Sequence, residues 1–307
     1  MSETRVSEVL VEDQQAVLDE VVKMFVDATP PVGAPIEDWR AGFENMAASF
    51  EIPADAVIEP VEADGVPGLK VSAPGAADDR VIIHFHSGGY VQGSSTSYRN
   101  FAYRLSAVTQ APVIVPDYRL APENPFPAPV EDATTVYRWA LAQWDASRIV
   151  ISGDSAGGGL AMATLLALRD SGAPRPAAGV TISALLDLAG EGQSATTNAE
   201  SDPLIDRAMV VDMGKVYIGD IDPHTEPYCS PLWGQHNDLP PLLLLASNSE
   251  VLRDDSVRFA ESVRAAGGSA ELSLPEGMVH IWTLFPKLEQ AEASLKEIGD
   301  FVRSHLG

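Results

Sequence analysis

Arg148–Ile149–Val150–Ile151–Ser152–Gly153–Asp154–Ser155–Ala156–Gly157 is the stretch on which the fold turns. The β-branched run Ile149–Val150–Ile151 reads as a strand, and the segment from Gly157 to Ser171, rich in small and apolar residues, has helix length. Between them, Gly153–Asp154–Ser155–Ala156–Gly157 spells G-x-S-x-G in the strand–turn–helix setting that a nucleophile elbow requires. Glycines on both sides of the serine relieve crowding in so tight a turn. The serine oxygen then stands clear at the strand's carboxyl end, over a helix N-terminus. At average glycine usage a chance match is expected on the order of 0.1 times in a chain of this length, so the setting carries more weight than the pattern. A glycine-rich phosphate loop or an ordinary tight turn is the competing reading.

Outward from the elbow, further strands are expected at Val81–Phe85, Val113–Val115, Val180–Ile182 and Leu242–Leu245, with weaker ones near 57–61, 69–71 and 271–274. Helix-length segments lie between them at Asn100–Thr109, Val130–Trp144 and Asp255–Ala266. Runs apolar on both faces, alternating with helices, imply a mostly parallel sheet covered on both sides, an α/β architecture. The pair near 57–71 is close enough in sequence to form an antiparallel hairpin. Before the sheet, Val9, Leu10, Val17, Leu18, Val21, Val22 and Phe25 recur at roughly helical spacing. Pro30 to Pro35 breaks that helix, and Trp39, Phe43 and Met46 suggest a second. Residues 187–228 interrupt the strand–helix rhythm, with Met209, Val210, Met213, Val216 and Tyr217 at helical spacing. An insertion of that size in an α/β fold usually covers a site. The expected organisation is one domain: core segments 51–186 and 229–307, under a helical cap made of 1–50 and 187–228.

Composition removes several function classes. The 307 residues carry 20 Lys and Arg against 44 Asp and Glu, a formal charge of −24, which opposes binding of nucleic acid or anionic membrane through a basic patch. Cys229 is the single cysteine, so an intrachain disulfide is excluded and a reducing compartment is suited. The charged start MSETRVSEVLVEDQQ does not read as a signal peptide, and runs such as Leu242 to Ala246 are too short to span a bilayer. A cytoplasmic location is expected. No Cys/His set has zinc spacing, no G-x-G-x-x-G follows a first strand, and the acidic residues are dispersed; no metal or cofactor is expected.

A second glycine motif, His86–Ser87–Gly88–Gly89–Tyr90, ends another apolar strand 69 residues before Ser155. Acyl transfer needs backbone N–H groups aimed at a developing oxyanion, and paired glycines let the backbone approach that closely. Together with Asp117–Tyr118–Arg119–Leu120–Ala121–Pro122–Glu123 and the elbow, this motif resembles the hormone-sensitive-lipase group (bacterial family IV) of α/β-hydrolase carboxylesterases. Ser230–Pro231–Leu232, Leu239–Pro240–Pro241 and Gly277–Met278–Val279–His280 fall in the family's order, so the resemblance covers most of residues 80–285. Ser87 departs from it, standing where the family's HGGG usually has its first glycine. By the family pattern the oxyanion donors map onto Gly88 and Gly89, with the Ala156 N–H as the third.

A serine nucleophile needs a base, and the base needs an orienting acid, in the chain order Ser, acid, His for this fold. Four histidines follow Ser155: His224, His236, His280 and His305. His280, after a weak strand and Glu276–Gly277–Met278–Val279, is where fold and family place the base. His224 and His236 lie in polar stretches, and His305 in a polar helix end. His84 reads as a core histidine and His86 as the family's loop-supporting one. The family commonly has D-P-L-x-D after the strand at 242–245, with the first aspartate catalytic; Glu250 occupies that place in Ser249–Glu250–Val251–Leu252–Arg253–Asp254. Asp202, in Ser201–Asp202–Pro203–Leu204, reads instead as a helix N-cap, and Asp254 and Asp255 as helix-start residues.

The resemblance implies a serine carboxylesterase acting on short- to medium-chain esters through an acyl-enzyme, with a small-molecule ester as its partner and no cofactor. Met209, Val210, Met213 and Tyr217 are the expected acyl-pocket residues. Lactone opening on the same residues is the alternative within the class, peptidase and acyltransferase activities share the fold, and a non-catalytic receptor of the plant gibberellin type is the alternative outside it. Family members often dimerise, so a homodimer stays open.

Overall fold

The computed structural model describes residues 12–31 and 33–306. In chain order, the first half contains α1 (Glu12–Ala28), α2 (Ile36–Ala48), β1 (Val57–Ala63), β2 (Val66–Ser72), β3 (Val81–Phe85), α3 (Arg99–Thr109), β4 (Val113–Pro116) and α4 (Ala128–Leu141). The second contains β5 (Ile149–Asp154), α5 (Ala156–Asp170), β6 (Ala178–Ile182), α6 (Ser194–Thr197), α7 (Arg207–Ile218), β7 (Leu242–Leu245), α8 (Arg253–Ala265), β8 (Ala270–Ser273) and α9 (Glu289–His305). The strands form one sheet in the order β1-β2-β4-β3-β5-β6-β7-β8. β1 and β2 pair antiparallel, β2 meets β4 antiparallel, and every pairing from β4 to β8 is parallel.

The period of two along each strand divides the core. Val81, Ile83, Ile149, Ile151, Leu242 and Leu244 face Ala133, Val136, Leu160, Phe259 and Val263 of α4, α5 and α8. Ile82, Val150, Val180, Ile182, Leu243 and Leu245 face Phe101, Leu105, Leu295, Ile298 and Val302 of α3 and α9, and that layer continues to Leu18, Phe43 and Met46 of α1 and α2. Every residue of β3 to β7 is buried, which is why these strands read as mainly apolar runs, with His84, Ser152, Asp154 and Thr181 as buried polar exceptions. Truncating one such side chain to alanine costs about 2–5 kcal/mol.

Strand and helix positions differ from the sequence expectation by a few residues. β5 continues to Asp154, and α4 ends at Leu141, before Trp144. Val9, Leu10 and Val32 lie outside the described residues.

One expectation is corrected. Asp202 does not cap a helix: its Oδ1 accepts the N–H groups of Leu204 (3.0 Å) and Ile205 (3.2 Å), and its Oδ2 accepts that of Val251 (2.9 Å). The helix begins at Arg207, and its N-cap is Asp206, whose carboxylate accepts the Met209 N–H. Proline at 203 fits the turn that Asp202 closes, and buried polar atoms there are satisfied across the fold rather than along a helix.

Candidate active site

β5 delivers Ser155 at the carboxyl edge of the sheet. Its φ of 51° and ψ of −121° are sparsely populated for a residue with a Cβ, and strain of this kind persists only where surroundings over-determine it. The Ser155 N–H donates to Ile182 O (2.9 Å), and its carbonyl accepts from Gly159 (3.0 Å) and Leu185 (2.9 Å). A Cβ at Gly157 would fall 2.0 Å from the Phe85 carbonyl oxygen, so only glycine lets α5 start this close to β3.

His280 lies on the loop after β8, with Nε2 2.9 Å from Ser155 Oγ and Nδ1 2.8 Å from Glu250 Oε2. The other Glu250 oxygen accepts the Ser247 N–H at 2.8 Å. With Nδ1–H directed at the carboxylate, Nε2 is left as an acceptor for the serine proton. Burial pushes Glu250 above the usual carboxylate range, although its bond to His280 works the other way. At His280 burial opposes the charge, but the hydrogen bond and the negative charge of Glu250 outweigh it and raise its pKa above the ordinary imidazole value. The loop is pinned on both sides of the imidazole. Ser247 Oγ donates to Met278 O (2.6 Å), and the N–H of Ile281, itself left-handed at φ 50°, donates to Ser183 Oγ (3.0 Å).

Gly88 and Gly89 border the same cleft as Ser155 and His280, with φ of 121° and 61°. Ala156 is the first residue of α5, so its N–H has no partner within the helix. The cleft wall is apolar: Phe25 of α1, Trp39 and Phe43 of α2, and Met209, Val210 and Met213 of α7.

The profile of the α/β-hydrolase fold matches residues 82–284. A curated acetyl-hydrolase of Streptomyces hygroscopicus is 39% identical over 236 residues, which cover 76% of this chain and 79% of that protein. An esterase of Acinetobacter venetianus is 32% identical over 267 residues, covering 86% and 88%. The crystal structure of an esterase from the bacterial hormone-sensitive lipase family superposes with a TM-score of 0.93 at 39% identity, covering 97% of this chain and 100% of that one. The chain belongs to the α/β-hydrolase family, among the hormone-sensitive-lipase-like carboxylic ester hydrolases.

In this hydrolase Tyr217 is not in the cleft wall, a correction to the sequence expectation. Its ring is fully buried, stacked on Tyr90 at a centroid distance of 3.8 Å and edge-on to Phe126. Met213, Val210 and Met209 precede it on α7; eight residues after Met209 the helix has passed into the protein interior. Asp254 and Asp255 do lie in the first turn of α8, but they serve another segment as well. Asp254 accepts the Ser194 N–H, and Asp255 accepts those of Leu186 and Asp187, tying the chain beyond β6 to that helix.

The remaining histidines of the hydrolase have other partners. His236 is buried against Pro231 O and Ser262 Oγ, and burial lowers its pKa. His224 is exposed between Asp222 and Glu191, and His305 bonds Phe301 O in the last turn of α9. Sequence reasoning did not assign Phe25, Trp39 or Phe43 to the cleft. Their helical spacing marks a buried face without saying which surface that face meets. Among the described residues no cluster of three or more His, Cys, Asp or Glu is placed to hold a metal ion, and no helix is long and apolar enough to cross a membrane.

Proposed function

We propose that the hydrolase cleaves carboxylic esters of short- to medium-chain acids through a covalent acyl-serine intermediate. Ser155 Oγ attacks the ester carbonyl while its proton passes to His280 Nε2, and Glu250 holds the imidazolium through Nδ1–H. The N–H groups of Gly88, Gly89 and Ala156 receive the oxyanion. His280 then gives the proton to the departing alkoxide, and a water deprotonated by the same imidazole attacks the acyl carbonyl and frees Ser155. The observation that carries this reading is the unbroken line Ser155–His280–Glu250, at 2.9 and 2.8 Å, opening on an apolar cleft.

Short acyl chains are favoured by the bulky side chains that line the cleft, Trp39, Phe43 and Met213, and by the acetyl-hydrolase among the relatives. Residues 1–50 and 187–228 act in this proposal as a helical cap, since α1, α2 and α7 each send side chains into the cleft over Ser155. A cytoplasmic location fits the lone cysteine, buried and unpaired.

The test is a rate panel over p-nitrophenyl esters of rising acyl length, with lactones alongside, run on wild type and Ser155→Ala. Wild type should be fastest on short to medium esters, and the variant should lose several orders of magnitude in kcat, as removal of a serine nucleophile does. A variant retaining more than about a tenth of wild-type kcat would overturn the assignment. Faster turnover of lactones than of every open-chain ester would overturn the substrate class.

A further inference from the structure

Ser87, the departure from the family's glycine motif, has a buried partner that the mechanism above does not use. The Ser87 N–H donates to the Tyr98 hydroxyl oxygen at 2.9 Å, and the two hydroxyls lie 2.7 Å apart. The single proton of Tyr98 points the other way, to Asp154 Oδ2 at 2.5 Å. The second oxygen of Asp154 lies 3.1 Å from His84 Nε2, and His84 Nδ1 lies 3.0 Å from Ser152 Oγ. All of these side chains are buried, Tyr98 and His84 completely. Burial and the neighbouring Asp154 charge raise the Tyr98 pKa well above its ordinary value, so the phenol keeps its proton as a donor.

The placement of this chain of bonds is what gives it a consequence. Ser87 immediately precedes Gly88 and Gly89, and Asp154 immediately precedes Ser155. Gly88, Gly89 and Tyr90 all have positive φ: the two glycines have much conformational freedom to lose, and Tyr90 is held where a residue with a Cβ rarely sits. The loop therefore depends on outside anchors. Tyr118 donates to His86 O at 2.8 Å on one side, and Tyr90 O accepts the Ala121 N–H at 2.9 Å on the other. Those contacts tie the loop to the segment after β4. The Tyr98 hydroxyl is different in kind: it joins the loop to the elbow itself.

We propose that Tyr98 is a positioning residue for ester hydrolysis, its hydroxyl fixing the distance between the oxyanion N–H groups and the serine nucleophile by bridging Ser87 to Asp154. The proposal rests on the serine mechanism given above. An oxyanion hole acts through donors aimed at where the charge develops, so a small displacement of Gly88 and Gly89 against Ser155 costs transition-state binding and leaves ground-state binding nearly as it was.

The experiment uses Tyr98→Phe, which keeps the ring and its packing on His84 and Phe101. Steady-state rates are measured on p-nitrophenyl acetate and on its thiono analogue, in which the charge develops on sulfur, a much weaker hydrogen-bond acceptor. With the bridge cut, kcat on the oxo ester should fall by about 10–100-fold with KM changed less than about threefold, while the thiono ester loses less than about threefold. The oxo-to-thiono rate ratio thus drops. Equal losses on both substrates, or no loss on either, would overturn the proposal, since a merely structural role would not change the ratio. If Tyr98→Phe does not fold, Asp154→Ala removes the acceptor at the elbow end of the same bridge, with the same expected and overturning results. Failure of the underlying mechanism shows separately, as Ser155→Ala that stays active.

Discussion

Replacing Glu250 by glutamine probes the most buried part of the site without changing its shape. The two carboxylate oxygens have separate tasks: Oε1 accepts the Ser247 N–H at 2.8 Å and Oε2 accepts His280 Nδ1–H at 2.8 Å. Glutamine has one acceptor oxygen, and leaving the buried Ser247 N–H unpaired costs about 1–3 kcal/mol. The amide oxygen therefore stays with Ser247, and the NH2 group turns to His280. Nδ1 must then accept, which moves the imidazole proton to Nε2, the atom that should take the proton from Ser155. The wrong tautomer faces the nucleophile, and kcat should fall by about 10³–10⁴, or about 4–5.5 kcal/mol of transition-state stabilisation. A pH effect accompanies the loss. Only neutral His280 can act as base, so kcat/KM rises with pH through the histidine's pKa. That pKa lies above the ordinary imidazole value because Glu250 outweighs the opposing effect of burial. Without the carboxylate, burial prevails and the acid limb should move to lower pH, below its wild-type position. The assay is the pH profile of kcat/KM on p-nitrophenyl acetate for both proteins, with spontaneous hydrolysis subtracted. A variant within about tenfold of wild type whose acid limb has not moved would refute the reasoning.

Asp202→Asn weakens the support of the Val251 N–H beside Glu250 and removes a charge that raises the His280 pKa, so kcat should fall by at most about tenfold and the acid limb should shift slightly downward; kinetics against pH reads both. Met213→Ala enlarges the cleft and should move the kcat/KM optimum to longer acyl chains in the p-nitrophenyl series. Tyr217→Phe should leave that optimum in place, and because the buried hydroxyl has no partner among the described residues, Tm should hold or rise. Gly157→Ala sets a Cβ against the Phe85 carbonyl oxygen and should cost about 3 kcal/mol or more by urea denaturation, or prevent folding.

The sheet was legible because β3 to β7 are buried on both faces, which leaves mainly apolar runs with few polar residues to confuse them. The elbow was legible for a local reason too: steric exclusion at Gly157 leaves a mark in the sequence. Contacts made by long-range packing left none. Residues 1–50 were expected to contribute to a cap, but Phe25, Trp39 and Phe43 have the same helical spacing as residues that only fill a core, and nothing near them in sequence says that these side chains line the cleft with Ser155. Asp202–Pro203 reads as a helix start by local rules; its partner Val251 is 49 residues away, so the bond that governs it was invisible. Tyr217 shared a helical face with Met213 on paper, and the stacking with Tyr90 that draws it inward depends on a loop 127 residues earlier. Ser183 and Ser247, which pin the loop on either side of His280, belong to no spacing pattern at all.

The central claim is that the acyl group passes through Ser155. A p-nitrophenyl phosphonate ester, which leaves a stable tetrahedral adduct on an activated serine, tests it most directly through intact-mass and peptide-mapping mass spectrometry. Activity should be lost in proportion to one released nitrophenolate per chain, with the single adduct on Ser155 in the peptide that carries Gly153–Asp154–Ser155–Ala156–Gly157. Complete inactivation with Ser155 unlabelled, or full labelling of Ser155 with activity retained, would contradict the account.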